Sequence, residues 1–202
     1  MNRPKLLVIA GPNGSGKTSV TGKLLQHEWI EGCEYVNPDV IARDVYGDWN
    51  SPEAVMAAAR DASARRDRCI AEGRGLIFET VMSAPDKVDF ITMARERGYF
   101  IRLFFIGTDG PDVNIRRVNR RVMNGGHGVP LDKIISRYAK SITNCARLVP
   151  IVDRLYVYDN SVDNEFPKLL FRTAGGGLMR QYAEPHGWAR EIFEAASGEA
   201  AS

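Results

Sequence analysis

Nine residues from Gly11 to Ser19, read as GPNGSGKTS, fit the spacing G-x-x-x-x-G-K-[ST]. Glycine at Gly11, Gly14 and Gly16 permits backbone angles that turn successive N–H groups inward around a phosphate. Pro12, Asn13 and Ser15 complete the loop, and Ser19 follows it into the next element. Lys17 has the length and charge to reach β- and γ-phosphates, and Thr18 has a hydroxyl placed to ligate Mg²⁺. The chemistry predicted is the binding of a nucleoside triphosphate, ATP with Mg²⁺. The loop does not say where the phosphate goes.

Three further groups bear on that question. Asp39 lies in YVNPDVIARD, after a short strand, where Pro38 fixes a turn and Asn37 can hydrogen-bond locally. It can take a proton from an acceptor hydroxyl, or it can cap the helix starting at VIARDV. Glu79 ends the apolar run LIFET beside Thr80, with Ser83 close behind; it can bind an acceptor sugar hydroxyl or a water on magnesium, or these residues can cap a strand end. The third group is NIRRVNRRVMNGGHGVPLDKIISRYAKS, residues 114–141. Ile115, Val118 and Val122 form one apolar helical stripe, with Arg116, Arg117, Arg120 and Arg121 off it. Leu131, Ile135, Tyr138 and Ile142 form a second stripe, with Arg137 off it, and Gly125 and Gly126 break the chain between the two. Two helices on a glycine hinge describe a lid whose arginines neutralise a transferring phosphoryl group. The same arginines also fit a solvated basic face or an RNA-contacting patch. His127 fits a loop or capping role or a phosphate contact.

These residues need elements to hold them. KLLVIA, residues 5–10, reads as a buried strand running into the loop, and Val20, Leu24 and Leu25 mark the helix after it. Further strands are expected at EYVNPD, residues 34–39, at 76–80, at 99–107 and at 154–159. Helices are expected from Ser51, a plausible N-cap followed by Pro52, to Gly73, and from Pro85 to Arg97. Alternating strands and helices imply an α/β fold with a mostly parallel five-stranded core sheet and right-handed crossovers. A hairpin turning at Gly175–Gly177 and a short helix near Trp188–Ala195 follow. We read one domain over residues 1–196, with the lid at about 112–147 and a disordered tail over 197–202.

Composition narrows the classes. With 202 residues the chain can bury a good-sized core. A net charge of +2 lends no support to a nucleic-acid partner. No apolar run approaches the ~20 residues that span a bilayer. Cys33, Cys69 and Cys145 are widely spaced, suit a reducing cytoplasm and read as small hydrophobes. No N-K-x-D segment supports a GTPase switch. The strand that ends in Asp159 is read as strand-end structure or adenine contact rather than a magnesium site.

In order, GPNGSGKT, NPDVIA, FETVMS, GGHGVPLDKIISRYAKSITN and YVYDNS resemble the zeta-toxin family, in particular its short single-domain branch, from about residue 5 to 175. The resemblance implies a P-loop kinase of a cytoplasmic toxin–antitoxin module, using ATP–Mg²⁺ to phosphorylate a sugar hydroxyl of UDP-N-acetylglucosamine or a related UDP-sugar. It implies Lys17 and Thr18 on phosphate and magnesium, Asp39 as base, Glu79 and Thr80 on substrate, and one of Arg117, Arg120 and Arg121 as the first lid arginine. Longer members have a second arginine in the lid loop, where this chain has GGHGVP, so His127 or Arg137 takes that place. Asn37, Arg43, Glu79, Thr80, Ser83 and His127 are the candidate substrate residues. A protein antitoxin is an expected partner. The other readings are a kinase for an antibiotic, nucleotide or polynucleotide end, and a regulatory ATP-binding module.

Overall fold

The computed structural model describes residues 3–47, 51–126 and 128–198. Strand β1 (Lys5–Ala10) feeds the glycine loop and helix α1 (Lys17–Leu24). Then come β2 (Cys33–Val36), α2 (Pro38–Tyr46), α3 (Pro52–Ala71), β3 (Gly75–Thr80), α4 (Pro85–Glu96) and β4 (Phe100–Gly107). The chain continues through α5 (Pro111–Met123), α6 (Leu131–Leu148), β5 (Arg154–Asp159), β6 (Lys168–Ala174), β7 (Gly177–Gln181) and α7 (Arg190–Ser197). The strands form one sheet in the order β2-β3-β1-β4-β5-β6-β7. The first five are parallel, as expected, and the β6–β7 hairpin adds two antiparallel strands at the β5 edge.

β1 is central because it is apolar on both faces: Leu6 to Ala10 are all fully buried. One face packs against α2, α3, α4, α6 and α7, in a cluster that includes Ile41, Ala58, Ile91, Leu148 and Ile192. Among the described residues the other face packs on α1 and a 3₁₀ turn at Glu28–Ile30, through Val20, Leu24 and Trp29. Helix starts follow local chemistry. Ser51 caps α3 by accepting from the Ala54 N–H at 3.1 Å, and Pro52 occupies the first helical position. Cys69 and Cys145 are buried and Cys33 is partly exposed, all three as free thiols.

Two expectations are corrected. The stripes proposed for α5 and α6 are not wholly inward: Val122 is 45% exposed, Leu131 56% and Ile135 49%. Burial falls instead on Val113, Asn114 and Val118 early in α5 and on Ile134, Ser141, Ile142, Cys145 and Leu148 along α6. At the start of α6 the buried position is Ile134, which turns its neighbours Leu131 and Ile135 outward, and Val122 lies in the last turn of α5, beyond the buried Val118. Ser197, proposed to lie in a disordered tail, instead ends α7, and Gly198 is its left-handed C-cap. No helix among the described residues is long and apolar enough to cross a membrane.

Candidate active site

The glycine loop sits at the carboxyl edge of the sheet, between the end of β1 and the first turn of α1. Gly14 and Gly16 adopt φ of 77° and 87°. A Cβ on Gly16 would meet Asn160 Nδ2 at 2.2 Å, and one on Gly14 the Asn114 carbonyl at 2.6 Å, so neither position accepts a side chain. Those close approaches arise because two buried asparagines hold the loop from outside. Asn114 of α5 donates to the Asn13 carbonyl at 2.5 Å, and Asn160, just after β5, donates to the Ser15 carbonyl at 2.8 Å. With the carbonyls held outward, the N–H groups of Asn13, Gly14 and Gly16 have no backbone acceptor among the described residues. The Ser15 hydroxyl is buried without a partner among the same residues. Unpaired donors at a helix N-terminus fit a phosphate. Lys17 Nζ donates to the Gly11 and Pro12 carbonyls at 2.8 and 2.9 Å. Burial, together with the charge of Arg121 and against the pull of Glu79 and Asp39, brings its pKa down to about 8.

Opposite the loop, β2 and β3 end side by side and deliver the carboxylates. Asn37 is the N-cap of α2: its Oδ1 accepts from the Asp39 N–H at 2.9 Å. Asp39 is therefore not the cap. Its carboxylate faces the cleft, in the first turn of α2, where the helix dipole favours negative charge. Glu79 Oε1 accepts from Tyr35 Oη at 2.7 Å, and Asn37 Nδ2 donates to Tyr35 Oη at 2.8 Å. Burial and the neighbouring Glu79 carboxylate push the Tyr35 hydroxyl pKa up, so Tyr35 stays a donor. Asn37 lines the cleft but spends both ends of its amide on this network. Thr80 also lines the cleft, and its hydroxyl accepts from the Met82 N–H at 3.0 Å, which is the strand-end role. α6 pins the following turn: Ser141 and Asn144 donate to the Val81 and Met82 carbonyls at 2.7 and 2.9 Å.

The arginines divide. Arg121 and Arg137 line the same cleft of about 520 Å³ as Lys17, Thr18, Asp39 and Glu79. Neither forms an ion pair among the described residues. Arg117 touches this cleft, but its guanidinium is spent on the loop after β5: Nε on Asp163 at 2.7 Å, the other nitrogens on the Asn160 and Val162 carbonyls at 2.7 and 3.2 Å. Arg120 is exposed, 3.6 Å from Asp163. Both arginines, with Gly16, Ser19 and Asn160, border a second cavity of about 300 Å³ that adjoins the phosphate loop. Arg43 ion-pairs with Asp44 on the exposed side of α2, and neither it nor Ser83 lines the cleft. Asp159 accepts from Ser161 at 2.5 Å and borders neither cavity, as expected of a strand end. His127 lies outside the described residues.

Tyr35, Asn114, Asn160 and Asn144 escape sequence reasoning. Tyr35 had a signal, because alternation along β2 places it on the same side as Asn37. The asparagines had none, since each reaches a carbonyl far away in sequence.

The family model described as zeta toxin matches residues 1–166. A Haemophilus influenzae protein described as uncharacterized is 26% identical over 134 residues, 66% of this chain and 92% of its own. The fold is similar to that of a chain from the PezAT chromosomal toxin–antitoxin system of Streptococcus pneumoniae, with TM-score 0.60 at 14% identity, covering 100% of this chain and 81% of that one. It is also similar to a chain of the AvrRxo1-ORF1:AvrRxo1-ORF2 complex with ATP, with TM-score 0.65 at 18% identity, covering 98% of this chain but only 65% of that one.

Proposed function

The chain belongs to the zeta-toxin family, and on that premise we propose that it is an ATP-dependent kinase that phosphorylates a sugar hydroxyl of UDP-N-acetylglucosamine or a related UDP-sugar. The supporting observation is the convergence, in one cleft, of the phosphate loop with Lys17 and Thr18, the free carboxylate of Asp39, the oriented carboxylate of Glu79, and Arg121 with Arg137. Two carboxylates facing Lys17 across one cleft provide both a base for an acceptor hydroxyl and a second group to hold the acceptor.

In this reading the triphosphate lies along the loop, its β- and γ-phosphates taking Lys17 Nζ away from the Gly11 and Pro12 carbonyls. Thr18 would hold Mg²⁺, which supplies neutralisation of the β- and γ-phosphate oxygens; one protein hydroxyl suits an ion that keeps several waters. Glu79, its Oε1 fixed by Tyr35, receives a sugar hydroxyl on its other oxygen. Asp39 orients the acceptor hydroxyl and takes its proton as the oxygen attacks the γ-phosphorus and ADP leaves. Arg121 and Arg137 stabilise the charge on the transferring group, while Arg117 holds the loop after β5 against α5. The neighbouring cavity beside Asn160 receives the nucleoside base. We further propose one kinase domain that runs through α7, with residues 112–147 as its lid, located in the cytoplasm and inhibited by a protein antitoxin.

The test is an acceptor panel. Purified protein is incubated with ATP–Mg²⁺ and UDP-sugars, free nucleotides, aminoglycosides and short oligonucleotides, and products are weighed by mass spectrometry. The expected result is one added phosphoryl group on a UDP-sugar. Addition to another panel member would replace the acceptor, and ATP binding with no product would replace the reaction.

A further inference from the structure

The sheet has an open face. Its helix-rich side is packed from β2 to β6, whereas among the described residues the other side packs on α1 and the Glu28–Ile30 turn, over the β1 end. Across β4 to β7 this side is built from arginines and aromatic rings. Arg102 lies 4.6 Å from the rings of both Trp29 and Phe100, and Arg154 lies 5.9 Å from Phe100. Phe104 and Tyr156 stack at 4.8 Å. Beyond them Arg172 and Arg180 flank Tyr182, at 5.9 and 5.0 Å.

Register makes this arrangement costly. Arg102 is directly opposite Arg154, and Arg172 directly opposite Arg180. Like charges side by side on one face of a sheet destabilise it. Among the described residues no carboxylate relieves either pair. The acid next to Arg154, Asp153, is held by Arg3, Arg95 and the Ile101 N–H. The Nε atoms of Arg102 and Arg172 are buried with no partner among the described residues. Merely shielding sheet from water would be served as well by threonines or opposite charges. Two repelling arginine pairs on one face call for an anion that lies across both.

We propose that this face binds single-stranded nucleic acid. The four arginines span three strand spacings, ~14 Å, which suits a polymer of phosphates better than one small anion. Tyr182, 43% exposed, offers stacking surface to an unpaired base, which a duplex keeps to itself and an acidic peptide lacks. The face is also separate from the cleft: Arg102 and Arg154 stand at the start of β4 and β5, whereas the phosphate loop follows the end of β1. Bound nucleic acid is therefore a ligand beside the kinase site, and the inference does not depend on which acceptor that site uses. The net charge of +2 conceals the patch because its residues are scattered from position 102 to 180.

Fluorescence anisotropy with a labelled single-stranded RNA of about ten nucleotides tests this. Binding is expected at low salt, weakening steeply as salt rises. Arg172→Ala with Arg180→Ala should lower affinity at least ~10-fold and flatten the salt slope by about one for each phosphate left without its arginine. Tyr182→Ala should weaken RNA binding without changing the salt slope. Since Arg180→Ala relieves a repulsion, its melting temperature should equal or exceed that of the parent chain, which shows that weaker binding does not come from unfolding. Kinase turnover of these variants should be unchanged. No anisotropy change at low salt overturns the proposal, as does binding indifferent to all three substitutions. Equal competition by poly-glutamate, with no effect of Tyr182→Ala, would replace nucleic acid by an acidic protein.

Discussion

At the residue scale the site turns on protons and on how carboxylates are held. Lys17 is poised to lose its proton near pH 8 before a triphosphate arrives. Bound phosphate favours the charged amine, so binding should draw a proton from solvent above that pH. Calorimetric titration with ATP in buffers of different ionisation enthalpy should report uptake near zero at pH 6.5, rising toward about one proton near pH 9. The sign for stability follows from the same shift. A lysine whose folded pKa lies below its unfolded value of 10.5 penalises the ligand-free fold at low pH, and the penalty lifts as pH climbs from about 8 to 10.5. Tyr35 offers a sharper test of positioning. Tyr35→Phe removes the donor to Glu79 Oε1 while keeping the ring, and a hydrogen bond to a charged group contributes about 1.5–3 kcal/mol. The expected loss is ~10–100-fold in kcat/KM for the acceptor, with the KM for ATP unmoved. An unchanged acceptor kcat/KM would sink the role given to Tyr35.

At the element scale the phosphate loop is held by neighbours that arrive much later in the chain. Asn114 bonds the Asn13 carbonyl 101 residues away, and Asn160 bonds the Ser15 carbonyl across 145. Asn114 is in turn bonded to Thr108, whose carbonyl accepts from Tyr138 of α6 at 2.5 Å. A chain of hydrogen bonds thus runs from α6 through α5 to the loop. Asn114→Ala strands buried partners on both sides, at about 1–3 kcal/mol. It should lower the melting temperature and weaken ATP binding together; a fall in the first without the second would confine Asn114 to folding. This layer also marks where sequence reading ends. The loop, the strand before it and the carboxylates at the ends of β2 and β3 show themselves by local spacing. The asparagines do not, because a side chain that satisfies a carbonyl more than 100 residues away leaves no periodic trace. Arg117 and Arg121 share one helix and one spacing, and only the partner Asp163 separates the tether from the clamp. Leu131 and Ile135 mislead because Ile134 between them is the residue that α6 buries, and apolar spacing alone does not say which of two adjacent isoleucines faces the core.

At the scale of the whole molecule, Asp153 gathers the N-terminal segment, α4, β4 and β5 at the edge opposite the site. It accepts from Arg3 at 2.9 Å, Arg95 at 2.6 Å and the Ile101 N–H at 2.8 Å. Burial pushes its pKa up, but the Ile101 N–H and the two guanidiniums outweigh burial and hold it below 3.8. A carboxylate depressed in this way stabilises the fold above its unfolded pKa and loses that contribution as pH falls below it. Asp153→Ala should destabilise by about 1–3 kcal/mol near neutral pH, the arginines remaining partly solvated. The gap between variant and parent should close below about pH 3.8 in denaturant melts; a gap independent of pH would make Asp153 a packing residue only. The parallel five-stranded core was legible from alternating strands and helices, and the hairpin from its glycines at Gly175–Gly177. The strand order, and the pairing that adds the hairpin to the β5 edge, were not, because they rest on contacts distant in sequence, and the bare arginine face emerges only when β4 to β7 are laid side by side.

Asp39 carries the central claim, since it separates a kinase from a protein that only holds ATP. The decisive measurement takes Asp39→Asn, which keeps the shape of the side chain and abolishes its basicity. ATP affinity and acceptor-dependent turnover are determined on the same preparation. Removing a general base lowers rate by about 10²–10⁴, so turnover should fall by that factor while ATP affinity stays within about twofold. Turnover equal to that of the parent chain would contradict the assignment of Asp39 and, with it, the phosphoryl-transfer mechanism built on this cleft.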